Sequence, residues 1–158
     1  MRKRIIEPDS PRRPGLPEGE WLNLEALAEV EVTSEDAAHP VESALLPGQA
    51  SGWRAGGAGK QTIRLLFAQP QRLRRISLHF AEERHERTQE YVLRWSPDGG
   101  KSFRDIVRQQ WNFSPGGATS EVEDHRVDLA AVTVLELNIT PDVGGRNAVA
   151  SLEKMQLA

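Results

Sequence analysis

The chain has 158 residues and a formal net charge of −3 at pH 7, with 27% charged and 38% hydrophobic residues. This length suits one domain with a core of ordinary size, and the weakly acidic balance gives no overall electrostatic reason to expect a nucleic-acid or membrane partner. The sequence contains no cysteine, which excludes disulfides, thiolate catalysis and cysteine-based metal sites.

The N-terminal segment, residues 1–20, predicts an extended proline-rich arm. Its four prolines, between positions 8 and 17, cannot continue a helix or a central strand, and it has few apolar groups to bury. The globular domain is therefore expected to span residues 21–158. No apolar stretch of ~7–15 residues follows the basic start, so no export signal is predicted and the expected location is the cytoplasm. No segment approaches the ~20 apolar residues of a membrane span.

The remainder of the chain predicts a short helix at Leu22–Ala28 followed by β-strands separated by turn residues. Alternation with a period of two is clear in Arg75–Phe80, where every second residue is apolar. Many short strands with little helix are typical of an all-β, antiparallel sandwich or barrel. The predicted strands are Glu29–Thr33, Thr62–Phe67, Arg75–Phe80, Tyr91–Trp95, Phe103–Trp111, His125–Leu129, Val132–Ile139 and Leu152–Leu157.

The central part of the sequence predicts a tight hairpin. Aspartate and glycine tolerate the positive φ that such turns need, and Pro97-Asp98-Gly99-Gly100 supplies both. In the strand before it, Tyr91, Leu93 and Trp95 share one face and are predicted to lie in the core, as is Trp53.

Three sequence motifs resemble the discoidin, or coagulation factor 5/8 type C, family of galactose-binding-like domains. They are Thr33-Ser34-Glu35-Asp36 through Gly52-Trp53-Arg54-Ala55, the hairpin segment Tyr91–Phe103, and the closing segment Ala150–Met155. The opening is also similar to the N-terminal domain of the X-ray repair cross-complementing scaffold. The resemblance implies a jelly-roll sandwich of eight strands, no catalytic residues, and ligands held by loops at one end.

Carbohydrate-binding members of this family often hold a structural calcium beside the first long loop. Where the family usually has an Asp-Gly pair, this chain has Leu46-Pro47-Gly48. The oxygen ligands left nearby are Ser51 and Glu153. Calcium prefers carboxylate ligands, and the aspartate of the family's Asp-Gly pair is missing here. The sequence therefore predicts no metal and no cofactor.

A candidate binding rim follows from the order of the strands. In an antiparallel order, alternate loops lie at the same end, so the loops around positions 52–59, 81–88, 112–120 and 142–147 should meet. Their planar donors, amides and aromatic face suit a sugar or a carboxylate-bearing ligand, although any set of loops is polar. Trp111 is equally compatible with the core and with a stacking platform. The predicted ligand-binding residues are Arg54, His85, Arg87, Trp111, Asn112, Asp142, Arg146 and Asn147.

The sequence carries no catalytic constellation. It lacks the nucleophile elbow, P-loop and dinucleotide fingerprints, and its four histidines are scattered. The prediction is a non-catalytic module that binds a carbohydrate or a protein ligand. The alternatives are a protein–protein or nucleic-acid adaptor and, ranked lower, a hydrolase using rim carboxylates. No oligomeric state is predicted.

Overall fold

A computed structural model describes residues 21–49 and 51–158, and the predicted arm of residues 1–20 lies outside these ranges. No helix within them is long and apolar enough to cross a membrane. The elements in chain order are α1 (Leu24–Leu27), β1 (Ala28–Val32), α2 (Glu42–Leu45), β2 (Trp53–Ala58), β3 (Gln61–Ala81), β4 (Arg87–Ser96), β5 (Arg104–Phe113), β6 (Ser120–Thr140), β7 (Val149–Leu152) and β8 (Lys154–Leu157).

The architecture is an antiparallel jelly-roll β-sandwich, which confirms the predicted all-β class. One sheet has the strand order β1-β3-β6-β4-β5, with β8 added to β3, and β2 pairs with β7. The two halves of β3 have different neighbours. Its first half pairs with β1 and with the end of β6, and its second half pairs with β8 and with the start of β6.

The long strands β3 and β6 differ from the prediction, which divided each of them into two. The ladder between them continues through the irregular section, where Gln71 faces Val132 and Leu73 faces Leu129. Pro70 lies in that section, outside the regular register. Its missing N–H therefore interrupts the regularity of β3 without ending the strand.

The helices are short. The predicted N-terminal helix is confirmed as the single turn α1, whose cap Asn23 accepts a hydrogen bond from Ala26 N at 3.4 Å. A second turn, α2, was not predicted. It buries Ala44 and Leu45 but is too short for apolar periodicity to show in the sequence.

The core is formed by the alternating inner faces of the strands. Tyr91 and Leu93 are buried, as predicted, and the Tyr91 ring lies 5.2 Å from that of Phe80. Trp95 is only partly buried, because the register of β4 against β5 shifts immediately after Leu93. Trp53 is 1% exposed, which confirms its predicted place in the core.

The predicted hairpin between β4 and β5 is confirmed. Asp98 accepts hydrogen bonds from Ser102 N and Oγ, and Ser96 Oγ accepts one from Gly100 N at 2.9 Å. Gly99 has a φ of 73° and Gly100 one of 95°, the region that favours glycine. The hydrogen bonds from Ser102 and Ser96 hold the pKa of Asp98 well below its usual value. This rigid turn lies at the opposite end of β4 and β5 from the loops described next.

Candidate functional site

A polar cleft of about 850 Å³, called the cleft below, lies where several loops meet. Its walls come from the segment after β1, the start of β2, the loop between β3 and β4, the end of the β5–β6 loop, and the β7–β8 turn. The lining residues are Asp36, His39, Ser51, Trp53, Arg54, His79, Ala81, Glu82, Glu83, Arg84, Thr119, Ser120, Ser151 and Glu153.

Arg54 is held at the edge of the cleft through its backbone. Its N–H donates to His39 O at 3.1 Å, and its carbonyl accepts from Asp36 N at 2.8 Å. The preceding residue, Trp53, donates its indole N–H to Ser34 O at 3.0 Å. These bonds fix the Arg54 backbone while its side chain stays half-exposed.

Gly52 allows the start of β2 to approach the β7–β8 turn. Its φ is 65°, and a Cβ built at this position would lie 2.9 Å from Leu152 O. The contact therefore requires glycine, both for conformation and for space. This close approach places Arg54 beside the strands that carry Ser151 and Glu153.

Arg87, a predicted ligand-binding residue, lies inside the domain, with its side chain 1% exposed. Nε donates to Glu82 Oε1 at 2.9 Å, and Nη1 donates to Gln89 Oε1 at 3.1 Å and Pro141 O at 2.9 Å. The guanidinium carbon is 4.8 Å from the centre of the Phe113 ring. Its Nε and Nη1 donors therefore serve internal partners, Nη2 has no partner among the described residues, and the ligand contact predicted for Arg87 stays a prediction. Arg87 positions the β3–β4 loop through Glu82.

A smaller depression of about 330 Å³, called the hollow below, adjoins the cleft. Arg54, Glu82 and Arg84 line both, so the two form one continuous groove. The hollow brings together four of the eight predicted residues, Arg54, His85, Arg146 and Asn147. Its full lining is Arg54, Glu82, Arg84, His85, Glu86, Arg146, Asn147, Ala148 and Val149.

Arg146 and Asp142 have different roles. Arg146 is 62% exposed and reaches across to donate from Nη1 to Glu86 O at 2.8 Å. Asp142 is buried, and its Oδ1 accepts from Gly144 N at 3.0 Å and Thr88 N at 3.3 Å. Burial favours the neutral acid, but these backbone bonds hold the pKa of Asp142 below its usual value. Asp142 therefore shapes its loop through Oδ1, and the ligand contact predicted for its carboxylate stays a prediction.

Trp111 and Asn112 do not line the hollow, but Asn112 lines a neighbouring depression of about 390 Å³ with Arg87, Asp142 and Arg146. Trp111 is half-buried against the core, and it lines a separate shallow depression with Gln110, Asn112 and Ala118. Its buried indole N–H has no partner among the described residues. Asn112 is exposed and accepts from Thr88 Oγ1 at 2.7 Å. The structure does not bring the predicted aromatic platform to the arginines.

Several residues that line the cleft were not among the predicted ligand-binding residues. His39 Nδ1 lies 3.1 Å from Ser51 O, and His79 Nε2 lies 3.1 Å from Ser120 Oγ. The missed lining residues that could contact a ligand are Asp36, His39, His79, Glu83, Arg84, Ser151 and Glu153. Arg84 could have been predicted from the sequence, because it directly precedes His85 in a loop of the predicted rim.

One carboxyl with a strongly altered pKa lies in the interior instead of the cleft. Burial and the neighbouring Glu123 raise the pKa of Glu121 to about 7. Glu121 is 2% exposed, and its Oε1 lies 3.5 Å from Gln89 Nε2, the donor. On the same face of β6, His125 Nε2 lies 2.7 Å from Tyr91 Oη.

The residues present do not fit the calcium site that the family resemblance implies. Where that ion would lie beside the first long loop, the ammonium of Lys154 donates to Leu46 O at 3.2 Å. No group of three or more His, Asp or Glu side chains in residues 21–49 and 51–158 is arranged to hold a metal ion. A bound cation next to this ammonium would be repelled.

The jelly-roll sandwich is similar in fold to several solved domains. Similar solved structures include CBM32-3 from a family 31 glycoside hydrolase of Clostridium perfringens, with a TM-score of 0.64 and 16% identity over 87% of this chain and 93% of that chain. The family 32 module of C. perfringens NanJ in complex with galactose has a TM-score of 0.58 and 16% identity, over 87% and 96%. XRCC1 bound to the DNA polymerase β catalytic domain has a TM-score of 0.59 and 12% identity, over 84% and 95%.

No protein-family model matches the sequence, and no curated protein matches it. At identities of 12–16% the likeness to the solved structures is one of fold. It confirms the predicted architecture.

Proposed function

We propose that this domain is a non-catalytic binding module that holds a carbohydrate in the hollow and the adjoining cleft. The observation that supports the proposal is a continuous polar groove, made of a hollow of about 330 Å³ and a cleft of about 850 Å³ that share Arg54 and Arg84. Small-molecule sites are typically concavities of ~300–1,000 Å³ with a few directed polar groups. A cytoplasmic location is part of the same proposal.

The hollow offers both kinds of contact that a sugar ring needs. Asn147 and His85 are exposed and can bond hydroxyl groups in two directions. Ala148 and Val149 form an apolar part of the wall, suited to the C–H face of a pyranose. One of the similar modules is in complex with galactose. We therefore assign sugar binding to Arg54, His85, Arg146 and Asn147, together with Arg84.

The state of the carboxyl groups supports binding without catalysis. Glycoside hydrolysis needs an acid of raised pKa next to the substrate. The carboxyl whose pKa is raised, Glu121, is buried and does not line the cleft. Glu82 lines it, but its carboxylate is paired with Arg87, which favours its ionised form. A hydrolase using rim carboxylates is therefore not our proposal.

Glycan-array screening followed by calorimetric titration tests the proposal. Arg54→Gln and Asn147→Ala should each weaken binding of the array hit, because each removes a directed donor from the hollow. Arg74→Gln is the matched control, since Arg74 is exposed and lies outside the lining of the hollow and the cleft. Unchanged affinity in both hollow variants would contradict the proposal.

The second candidate is an adaptor that binds a protein or nucleic acid, favoured by the XRCC1 complex with the same fold. Titration at rising salt concentration distinguishes the two. Binding to a phosphate backbone should weaken steeply with salt, whereas a sugar held by a few bonds should respond weakly. A protein adaptor would bind its partner equally well in the presence of the competing glycan.

A further inference from the structure

The arginines of the groove differ from most others in this domain. Most of the other arginine side chains in the described part of the chain are paired with carboxylates or aromatic rings, and Arg74, exposed and outside the groove lining, is not. Examples are Arg64 with Glu31 and Glu136, and Arg108 with Glu90. Such pairing uses the donors that a guanidinium could otherwise offer to a ligand.

Arg54 and Arg84 are the exceptions at this place. Neither side chain forms a hydrogen bond, ion pair or ring contact with any of residues 21–49 and 51–158. The contacts of both residues are made by their backbones: Arg54 N with His39 O, and Arg84 N with Glu82 Oε2 at 3.2 Å. Two guanidinium groups that line the same hollow therefore keep their donors available.

The carboxylates of the hollow do not cancel these charges. The hollow is lined by three arginines and two glutamates. Of the glutamates, Glu82 already neutralises the buried Arg87 at 2.9 Å. Glu86 is exposed, and Arg146, which donates to its carbonyl, is balanced by Asp142, with 3.7 Å between Nε and Oδ2. An anionic group placed between Arg54 and Arg84 would thus complete the charge pairing of the hollow.

We propose that the hollow selects a hexuronic acid residue, with Arg54 and Arg84 binding its carboxylate. This inference rests on the proposed carbohydrate-binding function and names the class of sugar. A guanidinium presents two parallel N–H donors that match a planar carboxylate, and such charge-assisted pairs are about twice as strong as neutral hydrogen bonds. Ala148 and Val149 face the ring, and the rest of the oligosaccharide continues into the cleft.

Selection in this site acts through short-range bonds. The chain is net negative, at −3, and Glu83 and Glu86 are exposed near the two arginines. A long polyanion is therefore not attracted by the general field of the domain. The site distinguishes a carboxylate at one position of a sugar from the hydroxymethyl group of the neutral parent.

The test uses pairs of sugars whose members differ only at C6. Galacturonic acid, glucuronic acid, galactose, glucose and galactose 6-sulfate are titrated by calorimetry into the wild type and the variants Arg54→Gln, Arg84→Gln and Arg74→Gln. We expect a uronic acid to bind more tightly than its neutral parent and than the sulfate ester. Arg54→Gln and Arg84→Gln should each lower its affinity roughly 10- to 100-fold, and Arg74→Gln should not.

The outcomes separate the two levels of the proposal. If a neutral parent binds as tightly as its uronic acid, and the arginine variants leave that ratio unchanged, the carboxylate inference is wrong and the carbohydrate-binding function stands. If galactose 6-sulfate binds as tightly as galacturonic acid, the site accepts any anion at C6, and the inference that it selects a carboxylate is wrong. If no sugar or array glycan binds, the proposed function itself fails. Unfolding curves of each variant exclude loss of fold as the cause.

Discussion

The guanidinium of Arg87 and the carboxylate of Glu82 form an ion pair within the domain, with 2.9 Å between Nε and Oε1. The side chains are 1% and 11% exposed. The pair joins the first residue of β4 to the loop that carries Arg84 and His85. It thereby couples the packing of the sandwich to the shape of the groove.

Loss of this pair should destabilise the domain strongly. Arg87→Met keeps much of the apolar stem but leaves Glu82 without its buried counter-charge, a change that costs about 3–5 kcal/mol in comparable pairs. The measurement is the free energy of unfolding from urea titration. Arg74→Met is the control, because Arg74 is exposed. A cost below about 1 kcal/mol for Arg87→Met would show that water replaces the pair.

The stability should also depend on Glu121. Its pKa is raised to about 7 in the folded state, from an ordinary 4.5, so the folded protein binds this proton more tightly than the unfolded chain does. The carboxyl therefore costs no stability below about pH 4.5, and its cost grows as pH rises from there through 7. Glu121→Gln removes this cost, because an amide stays neutral.

The measured quantity is the difference in unfolding free energy between Glu121→Gln and the wild type at several pH values. We expect the advantage of the variant to grow by about 1–3 kcal/mol between pH 5 and pH 8. Taking the difference removes the opposite effect of His125, whose burial lowers its pKa. A difference that stays constant with pH would contradict the assignment.

The fold could be predicted largely from local patterns. Alternating apolar residues located most of the strands, and Asp98-Gly99-Gly100 located the hairpin, because both depend on neighbours close in sequence. The continuity of β3 past Pro70 could not be predicted. It depends on β6, whose Val132 and Leu129 lie about sixty residues away in sequence and pair with Gln71 and Leu73.

The groove was harder to predict than the fold. The alternating direction of the strands predicted which loops share one end of the sandwich. The hollow does contain four residues from those loops, Arg54, His85, Arg146 and Asn147. Strand direction could not tell that Arg87, two residues beyond His85, turns inward. That orientation depends on the partners Gln89 and Pro141, and proximity in sequence says nothing about burial.

Added calcium should not stabilise this domain, because the Lys154 ammonium lies where the ion is expected. This ammonium donates to Leu46 O, beside the loop where the family resemblance implies an ion. Added calcium or a chelator should therefore leave the unfolding temperature unchanged, because no ion binds the folded state preferentially. A calcium-dependent rise in the unfolding temperature would contradict this.

Removing that ammonium should have a small cost of its own. Lys154→Met leaves the carbonyl without its donor and should cost about 1 kcal/mol of unfolding free energy. Lys101→Met is the control, because Lys101 is exposed in the distant hairpin. Equal effects of the two variants would show that the Lys154 bond is not formed in solution.

Trp111 should contribute to packing and not to sugar binding. It packs against the core with its indole N–H unpaired among the described residues. Trp111→Phe keeps most of the apolar contact and removes the unpaired donor, so the unfolding free energy should change by less than about 1 kcal/mol. Calorimetry should give unchanged sugar affinity, whereas a tenfold loss would return Trp111 to the binding site.

The most direct test of the central claim is the location of the bound sugar. Backbone amide chemical shifts of the isotope-labelled domain are recorded during titration with galacturonic and glucuronic acids. We expect the largest chemical-shift changes in segments 52–55, 82–86 and 145–149, and no change in the hairpin at 97–103. Saturable changes centred on the hairpin, or on the depression beside Trp111, would contradict it.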